Sequence, residues 1–434
     1  MSIKKLILIL TMSQGITLFA QDLYFPPLSN ALPWDTLSPE SLGWCVDQTQ
    51  DLYDFLEAGD TKGFILLKDG KRVFEKYFGT FTRDSLWYWA SAGKTITSFL
   101  VGKAQEENYL SINDPSSMYL SEGWTNCTPE QEQNITIWHQ LTMTSGLDDG
   151  VPENHCTLDT CLNYLAEPGQ RWAYHNAPYT LLDGVISDAT GQTLNNYTTQ
   201  KLKNKIGMNG FWLPIDYNNV YFSNLRSMAR FGLLAQNQFV WNNETLLNDV
   251  EYVEQMTNTS QQLNLSYGYL WWLNGKGSIM VPGVQFQFPI DLAPDAPQNM
   301  FAALGKNGQI LCVDRESGIV FARMGNPPGD NGDVPFTYTN EIWQKLNAIM
   351  CNDVAVENKE QRTFNLFPNP ASNTLNISFS LSPDARAMII NSMGEIVLDN
   401  ITSVAVDISS LPAGIYVVCI EQDQQIYRQR FLKG

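Results

Sequence analysis

Histidine is scarce in this sequence: three residues in 434, at positions 139, 155 and 175. They are scattered, and no Cys-x-x-Cys pair accompanies them. A zinc site therefore lacks donors at the required spacing, and no cofactor or metal is expected. Positive charge is also short. Lys and Arg number 27 against 45 Asp and Glu, a net charge of −18, so nucleic acid is excluded as a partner. No Gly-x-Ser-x-Gly elbow occurs, which leaves the ordinary α/β-hydrolase triad without a home. Three scattered imidazoles also leave few general bases of the usual kind. No long apolar run follows the first twenty residues, so no later transmembrane segment is expected.

The first twenty residues have the pattern of a signal peptide. Lys4 and Lys5 precede the apolar Leu6–Leu10, and Leu18-Phe19-Ala20 offers a cleavage point before Gln21. The alternative, an uncleaved anchor, needs about 20 apolar residues, and Thr11, Ser13, Gln14 and Gly15 interrupt the run. In an exported chain some of the seven cysteines are expected to pair. Cys156 and Cys161 are close enough for a small loop disulfide. Cys45 and Cys351 would pair if the ends of the main domain meet. Cys312, in an apolar strand pattern, is expected to be a buried thiol.

The remaining chain is 44% hydrophobic and 17% charged, which is globular rather than disordered. Phe64–Leu67, Asp69-Gly70 and Val73–Tyr77 predict a β-hairpin, because Asp-Gly supplies the positive φ angles of a tight turn. From Ser91 the pattern becomes helical, with Ile96, Phe99, Leu100 and Ala104 on one face. Mostly helical segments run to about residue 260, including 222–236. Strand patterns return at 267–273, 309–313 and 318–324, and a last helix fits 339–350. Strands from both chain ends then form one antiparallel sheet flanked by helices, beside a mostly helical subdomain: an α/β (α+β) fold. Residues 352–362 are polar and read as a linker. Residues 363–434, with short alternating strands between Gly, Pro and Asn turns, predict a small all-β sandwich. The domains are thus 1–20, 21–351, 352–362 and 363–434.

The chemistry rests on Ser91-Ala92-Gly93-Lys94. Residues three apart on a helix share a face, so the hydroxyl and the amine can meet. Ser91 would also lie at a helix N-terminus, where free N–H groups favour developing negative charge. Ser2-Ile3-Lys4-Lys5 has the same spacing, and an N-cap is the plain alternative for Ser91. Two further triplets follow in order. Tyr174-His175-Asn176 comes after Pro168-Gly169, and Lys306-Asn307-Gly308 opens a strand pattern in which Gly308 permits close approach of another chain. Tyr217-Asn218-Asn219 and Tyr338-Thr339-Asn340 share the Tyr-x-Asn form, and Lys68-Asp69-Gly70 and Lys205-Ile206-Gly207 the Lys-x-Gly form. For Tyr174 the plain reading is a buried tyrosine, and for Lys306 a surface lysine. Trp271 and Trp272 either wall the cleft or pack the core. His139 reads as a core histidine, and His175 is assigned no role, since alternation points it away.

The ordered set Ser91-x-x-Lys94, Tyr174-x-Asn176, Lys306-x-Gly308 resembles the serine β-lactamase and penicillin-recognising superfamily. The branch that fits best holds class C β-lactamases, D-alanyl-D-alanine peptidases and esterases. Leu141–Leu147, Asn224–Leu233 and Tyr267–Trp272 are similar too, and the resemblance spans roughly residues 40–350. It implies Ser91 as nucleophile, Lys94 as base and Tyr174 as proton relay to the leaving group. Asn176 would bind the substrate amide or position Lys94. Lys306 would supply positive field, and the backbone N–H groups of Ser91 and Gln309 the oxyanion hole. Lys94 then needs its pKa lowered from about 10.4 toward neutrality, roughly 4 kcal/mol, by burial and by Lys306. One position departs. The family usually carries Thr or Ser between Lys and Gly, where it contacts a substrate carboxylate; here it is Asn307. Gly305-Lys-Asn-Gly-Gln309 is closer to esterase and amidase relatives, including 6-aminohexanoate-oligomer hydrolases. The expected substrate is a small-molecule ester, amide or peptide. The alternatives are β-lactamase or D-Ala-D-Ala peptidase activity, and a non-catalytic surface binding protein on a hydrolase scaffold.

The tail has its own resemblance. Asn365–Ala371, Asn391–Glu395 and Asp407–Tyr416, ending near Arg430–Lys433, resemble the C-terminal sorting domain of type IX secretion. This implies the secretion machinery as partner and a secreted or cell-surface location. A carbohydrate-binding sandwich is the alternative.

Overall fold

The computed structural model describes residues 23–434 apart from 30, 330–333, 352–363, 379–381, 383–384, 392–395 and 423–424. The expected signal peptide (1–20) and linker (352–362) lie outside the described residues.

The chain builds its first hairpin where Asp-Gly predicts it, from β1 (Thr61–Lys68) and β2 (Lys71–Tyr77). Asp69 and Gly70 both take positive φ, 50° and 79°, the pair of angles that matches strand twist. Gly70 is required for space as well: a Cβ there would fall 1.8 Å from the Tyr24 carbonyl oxygen. A second, smaller sheet follows from β3 (Trp87–Tyr88), β4 (Phe211–Ile215) and β5 (Asn218–Ser223), in the order β3-β5-β4. The late strands β6 (Trp272–Leu273), β7 (Phe301–Gly305), β8 (Gln309–Asp314) and β9 (Ile319–Gly325) return to the first hairpin. They complete one six-stranded sheet of order β2-β1-β9-β8-β7-β6, antiparallel throughout. Strands from both ends of the chain therefore share one sheet, as expected. β8 and β9 are buried at every position, which fits a sheet covered on both faces.

Five longer helices frame the sheets: α1 (Thr49–Ala58), α2 (Lys94–Glu106), α3 (Leu182–Thr190), α4 (Leu225–Gln236) and α5 (Phe336–Ile349). α2 departs from the one-faced pattern expected of it. Lys94 to Gly102 and Ala104 are all buried, so it is a central helix enclosed on nearly every side. α4 is capped by Asn224, whose side chain accepts from the Ser227 N–H, and all its residues are buried.

Two further sequence expectations differ from the fold. The hairpin β4–β5 lies in a stretch read as helical; its aromatic and β-branched residues alternate only over a few positions. The apolar run 267–273 pairs as strand only at Trp272–Leu273, because Leu270 takes φ 61° and turns the chain. Trp271 and Trp272 are buried in the core.

Two disulfides form, Cys45–Cys351 and Cys156–Cys161, and Cys312 is a buried thiol. In the tail, Leu366–Phe367, Thr374–Ile377 and Ala405–Asp407 form one sheet. Arg386–Asn391, Ile396–Leu398, Gly414–Gln422 and Gln425–Lys433 form another. Residues of both sheets, among them Leu375, Ile389 and Val418, share one apolar cluster, the expected all-β sandwich. No helix among the described residues is long and apolar enough to cross a membrane, and among them no three His, Cys, Asp or Glu gather as metal donors.

Candidate active site

Ser91 lies in a short 3-10 turn, Ala90–Gly93, that runs directly into α2 at Lys94. The one-turn spacing brings Lys94 Nζ within 2.8 Å of Ser91 Oγ. The same Nζ donates to Asn176 Oδ1 at 2.8 Å. It sits 5.0 Å from the centre of the Tyr174 ring and 4.2 Å from that of Tyr179. Lys94 is 2% exposed, and burial pulls its pKa down to about 7. The opposing influence is the buried carboxyl of Asp183, which raises it. Burial is thus the effect that lowers it.

Asn176 opens a short helix, Asn176–Thr180. Its amide is engaged at both ends: Oδ1 accepts from Lys94, and Nδ2 donates to Asn154 Oδ1 at 2.9 Å. Tyr174 stacks on Trp272, with centroids 5.5 Å apart and planes inclined by 19°. A core tryptophan thereby orients the phenol.

Ser91, Lys94, Tyr174, Asn176 and Lys306 all line one cavity of about 400 Å³. Gly308 and the Gln309 side chain do not. Lys306–Gly308 form a tight turn between β7 and β8 rather than opening a strand, because Asn307 and Gly308 take φ 63° and 72°. The open side of Gly308 faces a side chain, the guanidinium of Arg323. Arg323 is buried and donates to the carbonyl oxygens of Asn307 (2.9 Å), Gly308 (2.7 Å) and Gly59 (2.6 Å), which holds this turn. Gln309 Nε2 donates to the Gly325 carbonyl at 2.7 Å. Asn307, at the position of departure, donates to Tyr88 Oη at 2.7 Å. β7 meets the serine turn closely: a Cβ on Gly305 would lie 3.0 Å from Ser91 N and 2.5 Å from Trp89 O.

Several cavity residues escaped the sequence reading. Asp149, Asn154 and His155 come from a loop that ends in the Cys156–Cys161 disulfide. Asp149 is paired with Arg171. His155 Nδ1 lies 2.8 Å from Asn218 Oδ1. Asn218 and Asn219 belong to the second Tyr-x-Asn triplet, so the signal was present without its meaning. Asn219 Nδ2 donates to Asp183 Oδ2 at 3.0 Å, and Thr97 Oγ1 to Asp183 Oδ1 at 3.4 Å. Burial pushes the Asp183 carboxyl up to about 7. No local motif announces Asp183. His175 is buried away from the cavity lining, with no hydrogen-bond partner for either ring nitrogen among the described residues. Burial holds it down, at about 4. His139 Nδ1 meets Thr136 Oγ1 at 2.8 Å inside a helix cap, and burial lowers it to about 4 as well.

Residues 62–342 match the family described as Beta-lactamase. The chain belongs to that family. Residues 365–433 match the Secretion system C-terminal sorting domain, which points this β-lactamase-family chain to secretion or the cell surface. Among relatives, PbpX of Bacillus subtilis, provisionally described as a penicillin-binding protein, is 24% identical over 178 residues, 38% of this chain and 44% of that protein. The chain thus spans less than half of that relative's length. A solved structure from Bacteroides dorei, provisionally described as a β-lactamase, superposes with TM-score 0.57 at 17% identity, over 71% of this chain and 99% of that one. Another, from Bacillus anthracis and provisionally described as a 6-aminohexanoate-dimer hydrolase, gives TM-score 0.55 at 18% identity, over 78% and 91%. At these identities the likeness is one of fold.

Proposed function

We propose that this chain is an exported serine hydrolase that cleaves an ester or amide through an acyl-enzyme on Ser91. The observation that carries this reading is the buried Lys94 amine, 2.8 Å from Ser91 Oγ and held near pKa 7. An amine at that value is substantially neutral near pH 7 and can accept the serine proton. Ser91 Oγ then attacks the carbonyl carbon, and the C=O electron pair moves onto oxygen. The backbone N–H groups of Ser91 and Gln309 stabilise that oxyanion. Collapse expels the alkoxide or amine, which takes its proton from Lys94 through the Tyr174 phenol. Water, deprotonated along the same route, releases the acid and restores Ser91. Asn176 fixes the direction of the Lys94 amine, and Lys306 contributes positive field at the cavity wall.

Asn307 favours an ester or amide over a β-lactam or a D-Ala-D-Ala peptide. Its side chain is spent on Tyr88 Oη, so position 307 offers no Thr or Ser hydroxyl to a substrate carboxylate. The chain divides into a signal peptide (1–20), a hydrolase unit (21–351), a linker (352–362) and a sorting module (363–434) recognised by type IX machinery. The test uses the full chain and a fluorophosphonate probe. Wild type is expected to be labelled, Ser91→Ala not at all, and Lys94→Ala about 10²–10⁴-fold more slowly. Undiminished labelling of Ser91→Ala defeats the proposal, and rapid acylation by a chromogenic cephalosporin in parallel would move the substrate to β-lactams.

A further inference from the structure

The small sheet β3-β5-β4 presents an apolar face that the described residues leave partly exposed. Side chains alternate across a strand, so Phe211, Leu213 and Ile215 of β4 share one face. They are 41%, 43% and 41% exposed, while Trp212 between them is buried. The register pairs them with β5 as Phe211↔Phe222, Leu213↔Val220 and Ile215↔Asn218. Directly paired residues lie on the same face. Phe211 stacks on Phe222 at 5.9 Å.

This face is continuous with the cavity. Val220 and Asn218, the cross-strand neighbours of Leu213 and Ile215, line the space beside Ser91. Ala90, next to Ser91, lines it too. A group leaving the cavity over Asn218 passes onto Ile215, its cross-strand partner, and can follow the row through Leu213 to Phe211. From Phe211 to Ile215 the row runs about 13 Å, the reach of a medium-length acyl chain. Exposed apolar rows of this kind mark binding surfaces. β4 is also an edge strand of its sheet, but Pro214 removes an N–H from its middle. A proline there opposes pairing with an added strand, which leaves the side-chain face as the part available for contact.

We propose that the β4 face is an acyl-chain shelf, and that the substrate is an ester or amide whose acyl group carries an unbranched apolar chain. The inference rests on the hydrolase reading of Ser91 and adds its substrate class. A straight chain matches the row because it needs no pocket, only a strip of methyl and ring surface running outward from the cavity.

The experiment measures kcat/KM of the full chain for the p-nitrophenyl esters of acetate, butyrate and octanoate. Wild type is expected to favour octanoate over acetate. In Leu213→Ser that ratio falls about tenfold, and in the Phe211→Ser, Leu213→Ser pair it falls further, since each buried methylene of the chain contributes through the area it removes from water. These side chains are exposed, so an unchanged unfolding midpoint serves as the folding control. Acetate turnover with a flat chain-length series in wild type, or a ratio that the substitutions leave intact, overturns the shelf and spares the hydrolase. No turnover of any ester together with no labelling of Ser91 removes both. Self-association by sedimentation that Leu213→Ser abolishes, with a flat series, assigns the face to a second copy and overturns the shelf.

Discussion

Lys94 and Asp183 are a buried amine and a buried carboxyl that burial drives toward the same value, each to about 7. Burial disfavours charge on both, so it lowers the amine and raises the acid. The amine must be neutral to act as a base, and the acid, when ionised, makes it harder to neutralise. Acylation is expected to rise with pH through about 7 as Lys94 loses its proton. In Asp183→Asn the carboxylate can no longer raise the lysine, so this acid limb moves to lower pH. The isosteric amide can still accept from Asn219 and meet Thr97. The measurement is the second-order rate of probe labelling from pH 5 to 9 in both proteins. A limb that stays in place, or moves upward, shows that Asp183 does not act on the base.

At the scale of elements, the site is a junction between the serine turn, the end of β7 and the turn that carries Lys306. Gly305 takes an ordinary extended conformation, so its requirement is one of space: the strand end presses on backbone atoms of Trp89, Ser91 and Ala92. Backbone yields less readily than the tip of a flexible side chain. Gly305→Ala is expected to force the strand from the serine turn, lowering stability by about 1–3 kcal/mol and labelling of Ser91 by tenfold or more, since about an ångström of misplacement costs far more in rate than in stability. Urea unfolding and probe kinetics measured on the same sample check both. Retained labelling with lowered stability would mean that the contact packs the fold without shaping the site.

At the scale of the whole molecule, the apolar cluster of the tail shares no residue with that of the β-lactamase-family part of the chain. The Cys45–Cys351 disulfide, across a sequence separation of 306, joins segments on either side of the matched residues 62–342. A crosslink over so long a loop acts chiefly by restricting the unfolded chain. Cys45→Ser with Cys351→Ser is therefore expected to lower stability by about 2–5 kcal/mol, with the unfolding midpoint falling accordingly and Ser91 labelling retained below it. An unchanged midpoint would show that α1 and α5 hold the ends together unaided.

What the sequence by itself determined was everything that depends on short spacing. The Asp-Gly hairpin, the one-turn step from Ser91 to Lys94 and the alternating strands of the tail follow from local backbone geometry, which residues a few positions apart dictate. The three motifs in chain order also sufficed to mark the family resemblance. Tertiary structure alone decided the rest. Asn154 and His155 reach the cavity from one loop and Asn218 from β5, Asp183 on α3 meets Asn219 beside it, and no local pattern records which distant segments will meet. The depressed value of Lys94 depends on enclosure of α2 on almost every side, whereas the sequence pattern suggested a one-faced helix. Tyr217-Asn218-Asn219 shows the limit: the triplet looked like a coincidence until β5 brought its asparagines to the cavity. Burial and long-range approach are properties of the packed chain, and they set both the protonation of Lys94 and the shape of the cavity beside it.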